Sequence, residues 1–279
     1  MTPILEVEDL TVQFRTNRGT FDAVRGISFE VGRERVGIVG ESGSGKSMTG
    51  RAILGLTPKG SEVTARRLAF KGRDLLKMSA NEMRELRGGQ ISMVMQDPKY
   101  SLNPLIRIGA QIAEAYRVHG GAGGSAARDK ALAMLEAVHI RDPERVYKLY
   151  PHEVSGGMGQ RVMISMMLAG DPDLLIADEP TSALDVTVQT EVLRILDELV
   201  ERRGLALVFI SHDLDLVAGF CDRVLVMYAG QIVEELDAAD LASAQHPYSR
   251  GLLASLPRLG QRRDALPVLE RDPRWREAV

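Results

Sequence analysis

An α/β fold is what this sequence predicts: a parallel sheet covered by helices and interrupted by a helical insertion. Three observations predict it. Apolar, strand-sized runs alternate with helix-patterned stretches at both ends of the chain, and such alternation implies a parallel sheet covered on both faces. Two of the runs stop at residues suited to chemistry, Arg35–Val39 at Gly40 and Leu174–Ala177 at Asp178-Glu179. From about Tyr100 to Ala169 the pattern is helical throughout, which marks an insertion.

The elements follow in order. Ile4 to Leu10 and Phe21 to Val31 alternate apolar and polar residues and are predicted strands. Arg35 to Val39 is a short apolar strand, followed by a helix over Gly45 to Leu56. Ser79 with Glu82 is a capping-box signature for a short helix ending at Gly88-Gly89. Ile91 to Met95 is another strand. Ile108 to Val118 and Ala126 to Val138 have helical apolar spacing, and GGAGGS (Gly120 to Ser125) between them is a flexible joint. Beyond Asp171-Pro172, strands at Leu174–Ala177, Leu205–Ile210 and Val224–Tyr228 alternate with helices at Val186–Arg202 and Asp213–Phe220. No internal repeat and no low-complexity tract is present.

Composition narrows the class. With 279 residues, 44% hydrophobic and 26% charged, the chain has the make-up of a soluble globular protein with a sizeable core. A net charge of −3 supplies no field for nucleic acid; Arg66-Arg67, Arg202-Arg203 and Arg262-Arg263 read as short solvated clusters. One cysteine, Cys221, excludes an internal disulfide and a cysteine-built metal site, and reads as a packed thiol in a reducing compartment. The N-terminus carries Glu6, Glu8 and Asp9 where a signal peptide would be basic and then apolar. No apolar run reaches the ~18 residues of a membrane span. A cytoplasmic protein is expected, whose membrane role, if any, needs a spanning partner.

The strongest motif is GESGSGKS, Gly40 to Ser47, between a predicted strand and helix. It fits G-x-x-x-x-G-K-[ST], the phosphate loop. Gly40, Gly43 and Gly45 let the backbone of Glu41, Ser42 and Ser44 curl so that N–H groups converge on phosphate oxygens at the positive end of a helix. Lys46 is placed to reach the β- and γ-phosphates and the Ser47 hydroxyl to ligate Mg²⁺.

LLIADE, Leu174 to Glu179, is an apolar strand ending in two acids. Asp178 falls at the carboxyl end of the strand, where ligands bind in open α/β folds, and is read as a Mg²⁺ holder, directly or through water. Glu179 is read as the general base that orients the attacking water. Taken alone, the pair is equally two solvated acids at a loop. His212 follows Leu207–Ile210 and Ser211 and is read as a γ-phosphate contact that also holds Glu179, although a lone histidine is more often structural. The other four histidines, His119, His139, His152 and His246, receive only structural readings. Gln96, after the strand ending at Met95, is a candidate for the metal or the water.

A phosphate loop with an acidic strand end fits many ATPases, kinases and GTPases. VSGGM-GQR, Val154 to Arg161, narrows the field. Ser155 can cap a helix while Gly156 and Gly157 expose N–H groups at its positive end, a second anion cradle. The segment resembles the LSGGQ signature of ABC ATPases, and the motifs in their order resemble that family from Leu5 to about Pro257. The resemblance implies a P-loop NTPase (RecA-like) core with an antiparallel β subdomain and an inserted α-helical subdomain. Its domain would span 1–257, with the core at about 1–97 and 170–245, the helical subdomain at about 98–169, and 258–279 as a short tail.

By the same resemblance two ATPase subunits pack head to tail, so that Ser155, Gly156, Gly157 and Met158 act on the partner's ATP. SALD, Ser182 to Asp185, is similar to the D-loop at the dimer seam, with Asp185 as its acid; Gln96 is similar to the Q-loop glutamine, also a Mg²⁺ contact; His212 is similar to the switch histidine; and Phe14 is similar to the aromatic that stacks on adenine, or is equally a core residue. Within the family, MQDPKYSLNP (Met95 to Pro104), DEPTSALDVTVQ (Asp178 to Gln189), HPYSRGLL (His246 to Leu253) and Met158 resemble the dipeptide, oligopeptide and nickel importers.

This implies the ATP-hydrolysing motor of a membrane importer for peptides, or for nickel or another small solute. It would be peripheral on the cytoplasmic face of the inner membrane. Its partners would be a paralogous ATPase subunit, two transmembrane permease subunits and an extracytoplasmic solute-binding protein; ATP and Mg²⁺ are its expected cofactors. Two departures stand out. Gly159 replaces a residue that is often basic in this branch, and the tail Arg258–Val279 lacks the cysteines that in peptide-importing members hold an iron-sulfur cluster, so no cluster is expected. A non-transport ABC ATPase would need a second phosphate loop or long coiled coils, and a small-molecule kinase would leave the signature and His212 without a role.

Overall fold

Twenty-one strands and helices follow one another along the computed structural model, which describes residues 3–16, 19–182, 184–255, 272 and 275. They begin with β1 (Leu5–Thr16), β2 (Gly19–Val31), β3 (Arg35–Val39), α1 (Lys46–Ile53), β4 (Ser61–Thr64), β5 (Arg67–Phe70) and β6 (Arg73–Asp74). Next come α2 (Ala80–Leu86), β7 (Ile91–Val94), α3 (Pro98–Ser101), α4 (Ile108–Val118), α5 (Gly124–Ala137), α6 (Pro143–Lys148) and α7 (Gly156–Met167). The chain ends with β8 (Leu174–Asp178), α8 (Val186–Arg203), β9 (Ala206–Ser211), α9 (Leu214–Phe220), β10 (Arg223–Tyr228), β11 (Gln231–Asp237) and α10 (Pro247–Ser255). Two compact units divide it, one of residues 1–76 and 209–279, the other of residues 77–208.

In the first unit β1 is the hub of an antiparallel sheet. β2 runs along one edge, and β4 and β5 share the other, β4 opposite residues 11–14 and β5 opposite residues 5–8. Leu5 and Val7 face inward, then Leu10 and Val12. The skipped step falls at Asp9, whose φ of +52° marks a bulge that resets the register and keeps the apolar face buried. On this sheet's surface Arg67 pairs with Glu6 at 2.6 Å and Arg66 with Glu8 at 3.1 Å, so the Arg66-Arg67 cluster is an ion-paired face. β3 pairs in parallel with β10, and β11 pairs antiparallel with β10. Val36 to Val39 and Val224 to Tyr228 are all buried, the continuous burial of strands covered on both sides. α9 approaches β3 closely because Gly37 has no side chain: a Cβ there would lie 2.3 Å from Val217 Cγ1. Cys221 is a free, buried thiol at the same contact, as the sequence suggests.

In the second unit β7 and β8 pair in parallel, Ile91 opposite Leu174 through Val94 opposite Ala177, and both strands are buried throughout. The helices α4 to α7 bury Ile108, Ile112, Ala127, Ala131, Leu135 and Val162. α4 and α6 meet where Gly109 admits the Tyr147 ring; a Cβ would fall 2.1 Å from it. α8 buries Val192, Ile195, Leu196 and Leu199, the i, i+3, i+4, i+7 stripe of an amphipathic helix. It stops at Gly204, left-handed at φ +58°, with the Leu205 amide bonded back to Val200 O.

Several elements are not visible in the sequence pattern. β1 continues past Leu10 to Thr16, and β4, β5, β6 and β11 appear where no strand is predicted. These are short or half-exposed strands whose polar residues mask alternation; β11, QIVEELD, is not fully buried anywhere. The GGAGGS joint is shorter than expected, since Gly124 and Ser125 already belong to α5. The tail, 258–279, lies outside the described residues except for Asp272 and Trp275.

Candidate functional site

In the first unit, β3 ends at Val39 and α1 begins at Lys46, with the phosphate loop between them. Its glycines are required by geometry. Gly40 sits at φ +151°, and a Cβ there would lie 2.1 Å from Met227 O; Gly45 sits at φ +105°, where a Cβ would lie 2.6 Å from Ala23 O. Gly45 provides no side-chain cap for α1, and the first turn, Lys46 to Thr49, carries no acid. The helix N–H groups and their positive end are therefore left to an anion. Lys46 is buried, at 5% exposure, and its Nζ donates to Gly40 O at 2.8 Å and Glu41 O at 2.9 Å. Ser44 Oγ is buried with no hydrogen-bond partner among the described residues, a polar atom that a ligand oxygen would satisfy. These donors have the chemistry that a phosphate group would engage.

Two other predicted residues lie in the same unit. Phe14 is half-buried on β1, directly opposite Phe21 of β2, which is 60% exposed. It is a surface aromatic beside a second one, not a core residue. His212 follows β9 and is exposed. Its backbone neighbours are fixed: the Asp213 amide donates to Ser211 Oγ at 3.0 Å, and Asp213 Oδ1 caps α9 at Leu216 N, also at 3.0 Å.

The second unit brings the carboxylates and Gln96 together. Asp178, the last residue of β8, is 4% exposed. Glu179 follows with φ +47°, a left-handed conformation that costs a non-glycine residue roughly 1–2 kcal/mol. The turn is held because Ser182 N and Oγ both donate to Glu179 O, at 3.3 and 3.2 Å. Gln96 Nε2 donates to Glu179 Oε2 at 3.2 Å. The glutamine thus touches the carboxylate read as the base, a contact the sequence alone does not specify.

The signature is also in this unit. Ser155 Oγ accepts from Met158 N at 3.4 Å and caps α7 as expected. Ser155 and Gly156 are exposed and Met158 is half-buried, so the helix start faces outward. Gly157 is buried because α7 and α8 nearly touch: a Cβ would lie 2.2 Å from Val188 Cγ1. Arg161, not singled out in the sequence, anchors the helix through Gly157 O at 3.3 Å, His139 O at 3.1 Å and Glu191 at 3.3 Å. Gly159 lies against Pro98, where a Cβ would make ordinary van der Waals contact at 3.5 Å, so the absence of a basic side chain here is not forced by packing. Asp185 Oδ1 caps α8 at Val188 N, 3.1 Å away; of SALD, Ala183 lies outside the described residues.

A glycine loop closing on a buried lysine at a helix start is the hallmark of a phosphate-loop NTPase. Comparison with known proteins agrees: residues 24–182 match the family model for ABC transporters. The chain belongs to the ABC transporter family. It is 50% identical over 270 residues to the "Probable peptide ABC transporter ATP-binding protein y4tR" of Sinorhizobium fredii, covering 95% of this chain and 81% of that one. It is 48% identical over 262 residues to the dipeptide transport ATP-binding protein DppD of Bacillus subtilis, covering 93% of this chain and 78% of that one. Among solved structures, the dimeric post-hydrolysis state of the ATP-binding cassette MJ0796, bound to ADP and Pi, superposes with a TM-score of 0.75 at 25% identity over 84% of this chain and 98% of that one. An ATP-binding ABC ATPase domain is therefore present. Among the described residues, no helix is long and apolar enough to cross a membrane.

Proposed function

We propose that this chain is the ATP-hydrolysing motor of a membrane importer whose solute is a peptide. The observation that carries the hydrolytic half is Glu179: a strained acid at the end of β8, its carboxylate bonded to Gln96, beside the buried Asp178. The relatives named for peptide and dipeptide transport support the solute.

In this reading the loop from Gly40 to Ser47 and the Lys46 amine bind the triphosphate, and Phe14 stacks on the adenine; the Glu41 N–H is bonded to the Tyr248 hydroxyl instead. Ser47, Asp178 and Gln96 supply hard oxygen donors of the kind Mg²⁺ prefers; the ion, once bound, neutralises developing phosphate charge. Glu179 takes a proton from the attacking water while Gln96 holds its carboxylate and His212 contacts the γ-phosphate. Ser155, Gly156, Gly157 and Met158 close on ATP held by a second, paralogous subunit, and Asp185 lies at that seam. Residues at about 98–169 contact two permease subunits, which work with an extracytoplasmic binding protein; the chain sits on the cytoplasmic face of the inner membrane. The tail carries no iron-sulfur cluster, for Arg258–Val279 contains no cysteine.

Uptake of radiolabelled di- and oligopeptides by a deletion strain tests the proposal, with nickel as a parallel tracer. Peptide uptake should be lost, restored by the parent gene, and not restored by Glu179→Gln, whose ATP turnover should fall by roughly a hundredfold or more with ATP still bound. Loss of nickel uptake alone would overturn the peptide assignment. Parental turnover in Glu179→Gln would remove Glu179 from the base role.

A further inference from the structure

The segment His246 to Leu253 marks a branch of the family in the sequence, but its residues have no part in the chemistry described above. In the structure it reaches the phosphate loop. Tyr248, in the first turn of α10, is fully buried, and its hydroxyl accepts a hydrogen bond from Glu41 N at 3.0 Å. The Glu41 N–H and the Gly40 carbonyl belong to one peptide unit, and Gly40 O accepts from Lys46 Nζ at 2.8 Å. One peptide is thus gripped from both ends, by a tyrosine at its N–H and by the loop lysine at its carbonyl.

That peptide has freedom to turn. It follows Gly40, which has no Cβ to restrict rotation. A flipped unit would break both bonds, turning the Gly40 carbonyl away from Lys46 Nζ and the Glu41 N–H away from the Tyr248 hydroxyl. When Lys46 shifts to phosphate oxygens its grip on Gly40 O is lost, and the tyrosine hydroxyl remains to keep the peptide oriented.

Tyr248 is itself held firmly. Glu234 Oε1 accepts from the Gln245 and His246 amides at 2.5 and 3.2 Å, fixing the turn before α10, and His246 Nδ1 accepts from Tyr248 N at 3.2 Å. The Tyr248 ring tilts against Tyr228, with centroids 4.4 Å apart, and Trp275 meets Tyr228, Tyr248 and His246 edge-on at 6.0 to 6.2 Å. Tyr228 follows Met227, whose carbonyl oxygen is the atom that excludes a side chain at Gly40. The aromatic cluster and the loop entrance share one wall.

We infer that Tyr248 is a positioning residue for nucleotide binding: clamped by Glu234, His246 and Trp275, its hydroxyl sets the orientation of the peptide at the entrance of the phosphate loop. The inference rests on the loop's assignment as the nucleotide site. Its test is ATP affinity of the full-length chain by calorimetry, with thermal midpoints and amide exchange across residues 40–47. Tyr248→Phe keeps the ring and removes the hydroxyl. It should weaken ATP binding about tenfold, the scale of one hydrogen bond, and speed exchange at the loop with little change in thermal midpoint. A tyrosine that serves only packing would show parental affinity and exchange, because the ring is kept. That pattern overturns the inference. Should Tyr248→Phe fail to fold, Trp275→Leu, which loosens the clamp and leaves the hydroxyl, should still weaken binding about threefold, and parental affinity there overturns it equally. Lys46→Ala separates the two readings. If it abolishes ATP binding while Tyr248→Phe does not weaken it, the positioning role fails alone; if it leaves affinity unchanged, the loop assignment fails as well.

Discussion

Cys221 shows how far a single residue can be read. Burial pushes its thiol up to about 12 from an ordinary 9.0, Asp222 adding to the shift and Arg35 opposing it. Since only the thiolate is nucleophilic, the native chain should resist alkylation at pH 8 and react at one site once unfolded; stoichiometric labelling of the native protein would contradict the packing described for α9. The alkaline consequence has a definite sign. Above pH 9.0 the unfolded thiol loses its proton while the folded one keeps it, so this group's contribution to stability falls progressively up to pH about 12. Residue types with restrictive chemistry were the legible ones. Gly40 and Ser155 form the tight turn and the helix cap that their patterns announce, whereas the Lys46 amine donates to the loop carbonyls of Gly40 and Glu41. What the pattern omits is partnership over long separations: nothing near Gln96 in the sequence points to Glu179, 83 residues on, and nothing near Glu41 points to Tyr248, 207 residues on.

The signature helix α7 permits structure and function to be tested apart. At Gly157 an added Cβ would meet Val188 Cγ1 at 2.2 Å, whereas at Gly156 the nearest atom is Leu184 Cδ2 at 3.8 Å. Gly157→Ala should destabilise the chain by about 1–3 kcal/mol, as forced overpacking does, read as a lower denaturation midpoint. Gly156→Ala should leave stability within about 0.5 kcal/mol of the parent yet depress ATP turnover, because the exposed helix start is where a partner's nucleotide would be met. Equal stability losses would refute the packing argument. Elements with strong periodicity or clear caps were legible: α4 matches its expected bounds, and the Ser79–Glu82 capping box is present at both of its bonds. Half-exposed strands such as β4 and β11 were not, because burial on one face alone is easily masked by charged residues.

At the scale of the whole molecule, the outward-facing Ser155 and Gly156 leave one anion cradle with no nucleotide of its own chain assigned to it. A second copy of the cassette is the partner that would use it, and the dimeric ADP-bound relative shows that such cassettes do pair. Glu179→Gln with ATP should therefore move the chain to a two-cassette species by light scattering, together with its paralogue if the pair is mixed. ADP should not, and Ser155→Arg should prevent it. A species that stays monomeric with ATP and the paralogue present would count against head-to-tail closure.

Glu179 carries one last implication, for how the sequence can drift. Its φ of +47° is a conformation that glycine adopts freely and glutamate does not. Folding alone would favour replacement at this position, since the exchange relieves backbone strain. Asp9, Lys71, His139, Asp171 and Ala229 share the left-handed region, so strain by itself does not mark a site; what sets Glu179 apart is its carboxylate bonded to Gln96. Under the proposed role of Glu179 as the base, an acid at this position is kept at the expense of backbone strain, and its replacement by glycine in a copy of the gene would mark a cassette released from hydrolysis.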